Sequence, residues 1–208
     1  MNKILFIDTA TTGMNSEKCA IYRLGGIYTE DGIEKSRFEF RMRPFINARI
    51  NEQSLWISGE TRASLQLYQD EKTAFNNFLS YINQLIDLKN PRDKAYIAGF
   101  NAANRDVPFI REWFRRNGNE RFRDYFYVQV LDLMCISAFG LINIRNTMPD
   151  FHLETAARFL QVRATISEKY DSINNAKICL DMYRTLQKRF CIGECIDTRE
   201  ATEIIKNF

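Results

Sequence analysis

The sequence predicts an α/β domain in which a mixed β-sheet is flanked by helices. Two observations support this fold class: three strand-like segments come first, and helical segments then alternate with further strands. The chain has 208 residues, which suffices for one domain with a sizeable core. We therefore expect one domain over residues 1–190, followed by an extension over 191–208 that forms a short helix.

The composition is that of an ordinary globular protein, with 45% hydrophobic and 26% charged residues. No apolar run is long enough to cross a membrane and no signal peptide is expected before the first strand, so we expect no membrane partner. The cysteines are odd in number and scattered, which argues for free thiols and a location in the reducing cytoplasm. They are Cys19, Cys135, Cys179, Cys191 and Cys195.

The first predicted strand is the apolar run 4–7, which ends at Asp8. A short run rich in Ile and Phe, stopped by the polar segment 9–13, is typical of a strand buried on both faces in the middle of a sheet. An aspartate at the end of such a strand is held at the rim of the sheet. On its own, it is more often a turn or cap residue than a functional group.

Two further strands, 19–28 and 33–43, are predicted on either side of an Asp31-Gly32 turn, because Asp-Gly between apolar runs is a strong hairpin signal. In the second strand an aromatic residue alternates with charged residues, as expected when one face is solvated. The remaining elements follow from helical spacing and from Pro and Gly breaks. They are helices at 51–57, 74–88, 106–117, 151–160 and 171–190, a strand at 95–98, and a strand at 125–130 that runs into a helix through 139.

The segment FIDTATTG, followed by KCAIYRLGGI, resembles the first motif of the DEDD 3′–5′ exonuclease superfamily, to which the polymerase proofreading subunits belong. That motif is a strand, then Asp-x-Glu-Thr-Thr-Gly, then a second strand. Asp8 stands at the position of the first carboxylate, whereas Ala10 stands where the family has Glu. The resemblance extends over residues 4–186 and implies a ribonuclease H-like fold.

The segment AGFNAANRDVPFIREWFRRNG resembles the second motif, in which an Asn begins a loop and an Asp opens the following helix. Asn101 and Asp106 occupy these positions, and Arg105 stands where the family commonly has Phe. Considered alone, Asp106 is typical of an ordinary helix cap. Arg105 is either a solvated residue at a helix start or a cation that neutralises the carboxylates where a metal ion would.

The third motif corresponds to EKYDSINNAKICLDMYRTL. In the DEDDh branch this motif has His, four residues, then Asp, and Tyr170 and Asn175 occupy those two positions here. The DEDDy branch uses Tyr, but one residue nearer its Asp, so Tyr170 lies at the His position. Without the resemblance, these residues would be an aromatic side chain at a helix start and a solvated amide.

By resemblance, the family hydrolyses a phosphodiester at a 3′ end with two divalent metal ions about 4 Å apart. The ion that generates hydroxide is held by the first Asp, the Glu and the last Asp. Ala10 provides no ligand atom and Asn175 only a neutral amide oxygen. The carboxylates of Asp8 and Asp106 would then hold Mg²⁺ or Mn²⁺ weakly at most. Since loss of a positioned base alone typically costs about 10²–10⁴-fold in rate, we expect little or no hydrolysis.

Three other residues are candidates to replace the missing groups: His152 for the base, and Glu168 or Asp171 for the last Asp. His152 precedes the penultimate helix, far from the third motif along the chain, so we do not expect it to act as the base. Asp171 projects from a different side of its helix than Asn175, so we do not expect it to replace the lost carboxylate.

Two functions fit these residues. The first is a non-catalytic relative that binds single-stranded nucleic acid or a 3′ end, or that acts as a scaffold for a protein partner such as a replication component or another large assembly. The second is an active metal-dependent 3′–5′ exonuclease on DNA or RNA, either native with substitute ligands or present as an inactivated variant. Three coordinated departures from the motifs favour natural loss of activity.

The candidate nucleic-acid contacts lie in the first two motifs and on the helix that follows the second. They are Thr9, Thr11, Asn101, Arg105, Arg111 and Arg115. The net charge of +3 is below that of a dedicated duplex binder, but a few contacts suffice to hold a strand end. The arginine cluster, which continues through residues 116–123, is as consistent with a solvated face as with a phosphate-binding surface.

Overall fold

The computed structural model describes residues 2–162 and 171–190 of the chain. The strands in this part are β1 Lys3–Thr11, β2 Ile21–Glu30, β3 Ile33–Arg41, β4 Ala95–Gly99 and β5 Phe126–Asp132. They form one sheet in the order β3-β2-β1-β4-β5. β2 runs antiparallel to β1 and β3, whereas β4 runs parallel to β1 and β5. The predicted mixed sheet is therefore confirmed.

Helices cover both faces of the sheet, as the fold class predicts. They are α1 Glu52–Ile57, α2 Arg62–Gln66, α3 Glu71–Leu85, α4 Asp106–Arg116, α5 Phe122–Tyr125, α6 Leu133–Gly140, α7 Leu153–Phe159 and α8 Ser172–Phe190, with a 3₁₀ helix at Ile142–Thr147. Leu5 and Ile7 pack with α3 and α4 on one face. Ile4 and Phe6 pack with α6, α7 and α8 on the other. β1 is thus buried on both faces, as its apolar run predicts.

The end of β1 differs from its prediction. The sequence pattern ends the strand at Asp8, but β1 continues to Thr11 because its main chain keeps pairing with β2. Its pairing with β4 stops earlier, at Phe6. Asp8 therefore lies inside a strand, at the point where β1 has lost its neighbour on one side. This leaves room for a cleft beside Asp8.

β2 has a tight turn at its far end and a close contact with α8 beside the cleft. Asp31 and Gly32, which join β2 to β3, have φ values of 49° and 75°, the left-handed conformation required by a tight Asp-Gly hairpin turn. A Cβ atom on Gly25 would lie 2.7 Å from the Cβ of Ser172, so only glycine lets the start of α8 approach the sheet there. Gly25 is paired with Asp8. The start of α8 is consequently brought over Asp8.

The other predicted elements are present with shifted ends, and α2 and α5 were not predicted. α3 begins at Glu71 rather than at residue 74, because the Asp70 carboxylate caps it by accepting a hydrogen bond from the Thr73 amide (2.9 Å). The predicted helix over 191–208 lies outside the described residues. The division into 1–190 and 191–208 stays a prediction.

Within the described residues, no helix combines the length and apolarity needed to traverse a lipid bilayer. The thiols of Cys19, Cys135 and Cys179 are free, and only that of Cys135 is exposed. Cys191 and Cys195 fall outside the described residues.

Candidate functional site

One wall of the cleft consists of Asp8, Ala10 and Arg23. Asp8 and Ala10 are two residues apart on β1 and therefore face the same side of the sheet. Arg23 on β2 is paired directly with Ala10, so its side chain lies on that side as well. Arg23 is only 9% exposed, and its positive charge acts on the Asp8 carboxyl group. A guanidinium group thus stands beside the position at which the exonuclease motif has a glutamate.

The opposite wall carries Asp106, the first residue of α4. Its Oδ1 accepts hydrogen bonds from the backbone N–H of Thr9 (2.8 Å) and from the Thr9 hydroxyl (2.6 Å). The side chain is 6% exposed. Asp106 is therefore fixed to β1 rather than acting only as a helix cap, and it lies next to Asp8.

The first turn of α8 provides the third side. Asn175 lies where its amide, together with the Ser172 hydroxyl, favours the ionised form of the Asp8 carboxyl group and so lowers its pKa. Asp171 precedes the helix and accepts a hydrogen bond from the Ile173 N–H (2.9 Å), so its carboxylate caps α8. The third motif is thus brought to the first, as the resemblance implies. Tyr170, and Glu168 with it, lies outside the described residues.

The two carboxyl groups of the cleft have raised pKa values. Burial raises the pKa of Asp8 to about 6, with a smaller contribution from the negative charge of Asp171 and against the lowering effects of Ser172, Asn175 and Arg23. Burial, followed by the negative charge of Asp8, raises the pKa of Asp106 to about 7, although the Thr9 hydrogen bonds and Arg105 oppose this. At neutral pH the pair therefore holds less than its full negative charge.

Two adjoining cavities open from these groups and share Asp8, Thr9, Thr11 and Arg105 in their walls. The first, of about 240 Å³, extends toward the loop after β4, and we call it the Asn101 lobe. The second, of about 260 Å³, extends toward β2 and α1, and we call it the Arg23 lobe. Additional residues of the Asn101 lobe are Phe100, Asn101, Asp106, Phe151 and His152; those of the Arg23 lobe are Ala10, Met14, Tyr22, Arg23, Ile57 and Asn175.

The loop that carries Asn101 is held by Asp132, a residue that the sequence analysis did not select. Its carboxylate accepts hydrogen bonds from the backbone N–H groups of Asn101, Ala103 and Met134, each at 3.0 Å. Asn101 has a φ of 61°, a left-handed conformation that few residues other than Gly and Asn adopt readily. Asp132 is 6% exposed. The available signal was its position directly before α6, which is typical of a helix cap.

His152 is far from the third motif along the chain but close to the first two in space. It is the residue before α7, and it lines the Asn101 lobe with Asp8 and Asp106. The packing of α7 against α6 and α8 brings the N-terminus of α7 back to the cleft. The expectation that His152 does not act as the base stays a prediction.

Arg105 lines both lobes, and its charge favours the ionised form of Asp106, which supports its interpretation as a neutralising cation. Arg111 and Arg115 line neither lobe. The Arg111 guanidinium lies 5.3 Å from the centre of the Phe122 ring. The Arg115 side chain, 67% exposed, forms an ion pair with Glu112 (2.8 Å). These two contacts are those of a solvated helix face rather than of the cleft.

The described residues of the cleft do not fit a two-metal site. In residues 2–162 and 171–190, no group of three or more His, Cys, Asp and Glu side chains is arranged to hold a metal ion. The cleft offers the carboxylates of Asp8 and Asp106, and Asp171 is close enough for its charge to act on Asp8. The Asp106 carboxylate already accepts two hydrogen bonds from Thr9, and that of Asp171 accepts one from the Ile173 N–H. Two divalent ions require more anionic ligands than this.

Comparison with known families identifies the domain type. A family model described as exonuclease, RNase_T, matches residues 5–158. No curated protein matches the sequence.

Comparison with solved structures finds exonuclease I of E. coli. The zinc-bound form of its complex with single-stranded DNA superposes with a TM-score of 0.73 at 16% identity, over 92% of this chain and 42% of that chain. Its complex with a dA16 oligonucleotide superposes with a TM-score of 0.71 at 16% identity, over 91% of this chain and 41% of that chain. Its complex with a dT13 oligonucleotide superposes with a TM-score of 0.69 at 17% identity, over 92% of this chain and 43% of that chain. This chain thus spans about two fifths of their length, and the likeness shows a shared ribonuclease H-like fold.

Proposed function

Because the chain belongs to the RNase_T exonuclease family, within the DEDD 3′–5′ exonuclease superfamily, we propose that it binds a 3′ end of single-stranded nucleic acid without hydrolysing it. The observation that carries this proposal is the composition of the cleft around Asp8. Ala10 and Asn175 stand on two sides of that carboxylate, at the motif positions of the lost Glu and Asp. The fold, the cleft and Asp8 are retained, whereas the other two carboxylate ligands of the hydroxide-generating ion are replaced by Ala10 and Asn175.

The expected loss of rate is large. Without a bound ion the pKa of the attacking water stays near its bulk value. Tyrosine stands at the base position in the sequence, and an ordinary tyrosine has a pKa of about 10 and remains protonated at neutral pH. Removal of a positioned base typically lowers the rate by about 10²–10⁴-fold, and removal of the ion lowers it further. These losses act on one step, so they need not multiply.

The chemistry of the Asn101 lobe supports binding of a single strand. Phe100 and Phe151 line it with ring centroids 6.2 Å apart, and both rings are half-buried. Aromatic side chains stack on unpaired bases, at about 1–3 kcal/mol per base. Arg105, between the two lobes, supplies a positive charge for the phosphate backbone. The single-stranded DNA complexes of E. coli exonuclease I support the same class of ligand.

An assay with 5′-labelled single-stranded DNA and RNA tests the proposal. We expect an anisotropy increase that falls with added salt, and no shortening of the strand with Mg²⁺ or Mn²⁺. A circular single strand should compete poorly if the 3′ end is the ligand. Arg105→Gln should weaken binding. Arg37 is an exposed arginine of β3 that lines neither lobe, so Arg37→Gln should leave binding unchanged.

One observation favours the alternative of an active enzyme: His152 lies in the same lobe as both carboxylates. Metal-dependent shortening from the 3′ end that disappears in both Asp8→Ala and His152→Ala would establish that alternative. Absence of both binding and shortening would favour a scaffold role toward a protein partner.

A further inference from the structure

An apolar surface lies where the end of α6 meets the end of α8. Phe139 is 70% exposed and Phe190 is 43% exposed, and their ring centroids are 5.6 Å apart. Ile142, at the start of the 3₁₀ helix three residues after Phe139, is 66% exposed. Cys135 lies one turn before Phe139 on α6 and is also exposed. We call these four residues the α6 patch.

The α6 patch points away from the core and from the cleft. α6 buries Leu133 and Ser137 on its inner side, whereas Cys135 and Phe139 lie on its outer side. None of the four residues of the patch lines the Asn101 lobe or the Arg23 lobe. Single exposed apolar side chains are normal on a protein surface, but a contiguous group of them marks a surface that contacts another segment or molecule.

The sequence that continues from Phe190 has a pattern that complements this surface. Residues 191–208 lie outside the described residues, and their sequence predicts an amphipathic helix over 198–208. Asp197 stands at the N-cap position with Glu200 three residues later. Four apolar residues then recur at the spacing of a single helix face. They are Ala201, Ile204, Ile205 and Phe208.

Length and charge both fit a return of this segment to the patch. Residues 191–197 can span at most about 25 Å. The predicted helix over 198–208 would be about 16 Å long, similar to the eight residues of α6 at about 12 Å. Residues 191–208 contain four acidic and two basic residues. α8 ends in Lys188 and Arg189, and the 3₁₀ helix carries Arg145, so the charges are complementary.

We propose that the α6 patch is the docking surface of residues 198–208 of the same chain, whose apolar face packs against it. The point of attachment favours this occupant over a second copy of the protein. Phe190 is itself part of the patch and is followed directly by the connection to the segment. A short connection of this kind gives an effective concentration in about the millimolar range. The inference concerns a face outside the cleft, so it does not depend on the nucleic-acid function proposed above.

The reactivity of the Cys135 thiol in the full chain tests this. Among the described cysteines Cys19 and Cys179 are buried, so Cys191→Ser/Cys195→Ser leaves Cys135 as the thiol to follow with 5,5′-dithiobis(2-nitrobenzoic acid). We expect Ile204→Asp/Ile205→Asp in this background to raise its reaction rate by at least about tenfold, because charged side chains do not pack on an apolar surface. The matched control, Thr202→Asp/Asn207→Asp, adds the same two charges away from the apolar face and should leave the rate unchanged.

A variant of the patch itself completes the test. Phe139 is largely exposed, so Phe139→Asp should leave the domain folded, which thermal melts by circular dichroism verify for every variant. We expect Phe139→Asp to raise the Cys135 rate to the same level and to abolish any further increase from Ile204→Asp/Ile205→Asp. Ile33→Asp, the same kind of change at an exposed position of β3, should have no effect.

Two outcomes would overturn the proposal. Cys135 that reacts at the rate of an unhindered thiol before any change at Ile204 and Ile205 would show that the patch is uncovered. Protection of Cys135 that survives Ile204→Asp/Ile205→Asp and increases with protein concentration would assign the patch to a second copy of the chain.

Discussion

The two lobes of the cleft are built by different means. The Asn101 lobe is fixed by hydrogen bonds from main-chain N–H groups, three to Asp132 and one to Asp106. Asp106 also accepts a hydrogen bond from the Thr9 hydroxyl. The Arg23 lobe is defined by side chains that extend from two paired strands and from α8, and its effects on the Asp8 carboxyl group come from the side chains of Ser172 and Asn175 and then from the charge of Arg23.

This contrast explains which motif residues are retained. Asp106 binds β1 to α4, so its loss would disturb the fold as well as any ligand. Positions 10 and 175 carry no comparable main-chain contact through their side chains, and they are the ones at which the acidic residues are missing. Changes in the Asn101 lobe should therefore lower stability, whereas changes in the Arg23 lobe should alter the ligand that binds.

The largest expected effect is that of Asp132→Ala. Three partly buried hydrogen bonds from backbone N–H groups would lose their acceptor, one of them from Asn101 in a left-handed conformation. We expect the free energy of unfolding to fall by about 3–5 kcal/mol, measured by urea denaturation. Asp132→Asn keeps one acceptor oxygen and should cost less. A loss below about 1 kcal/mol for Asp132→Ala would show that the loop is held by other contacts.

Next in size is the restoration of a metal site in the Arg23 lobe. Combining Ala10→Glu and Asn175→Asp with Arg23→Ser should raise the affinity for Mn²⁺ by at least about 100-fold, since even one indirect metal contact is worth about 10–100-fold. Mn²⁺ binding followed by electron paramagnetic resonance measures this directly. The same pair of acidic changes with Arg23 retained should bind Mn²⁺ much more weakly. Equal affinities with and without Arg23 would show that its charge does not oppose a metal ion beside Asp8.

A smaller effect concerns pH. Burial and the neighbouring Asp8 charge raise the folded pKa of Asp106 from 3.8 to about 7, so the folded protein binds more protons than the unfolded chain between these values. Stability should therefore fall as pH rises from 5 to 8, by about 1–3 kcal/mol. Asp106→Asn should reduce this difference in urea titrations run in EDTA.

Asp150→Asn is the control for that titration. A hydrogen bond from the Thr155 side chain, with that from the His152 N–H, lowers the pKa of Asp150. The contribution of Asp150 to stability is therefore lost only as the pH falls below about 4. Asp150→Asn should thus leave the change in stability between pH 5 and pH 8 as it is in the unaltered protein. If Asp106→Asn behaves like Asp150→Asn, the raised pKa is not the source of the pH dependence.

The sequence alone was sufficient for the fold and for eight positions of the cleft, which are Asp8, Thr9, Ala10, Thr11, Asn101, Arg105, Asp106 and Asn175. Apolar runs and Gly or Pro breaks depend on local composition, which is why β1 and the Asp31-Gly32 hairpin were predictable. Asp8, Ala10, Asp106 and Asn175 were grouped because they occur in ordered motifs of a known superfamily.

Arg23 and His152 could not be found in this way. The partner of Ala10 is set by the register between β1 and β2, which depends on the shape of the connection over residues 12–20 and not on any local pattern. His152 reaches the cleft through the packing of three helices. Register and helix packing are long-range properties, so the residues they add to the site became visible only in the structure.

The smallest effect tests whether Asp106 is held as a carboxylate. Thr9→Val removes the hydroxyl donor to Asp106 but keeps the backbone N–H, so we expect a loss of about 1 kcal/mol at pH 8. The loss should shrink at pH 5, where the carboxyl group is protonated. The hydroxyl of Thr11 donates instead to the carbonyl oxygen of Gly13 (2.8 Å), so Thr11→Val should cost the same at both pH values. If Thr9→Val, like Thr11→Val, lowers the free energy of unfolding equally at pH 5 and pH 8, the Thr9 hydroxyl does not stabilise the ionised form of Asp106. The Asn101 lobe would then not depend on a carboxylate at position 106.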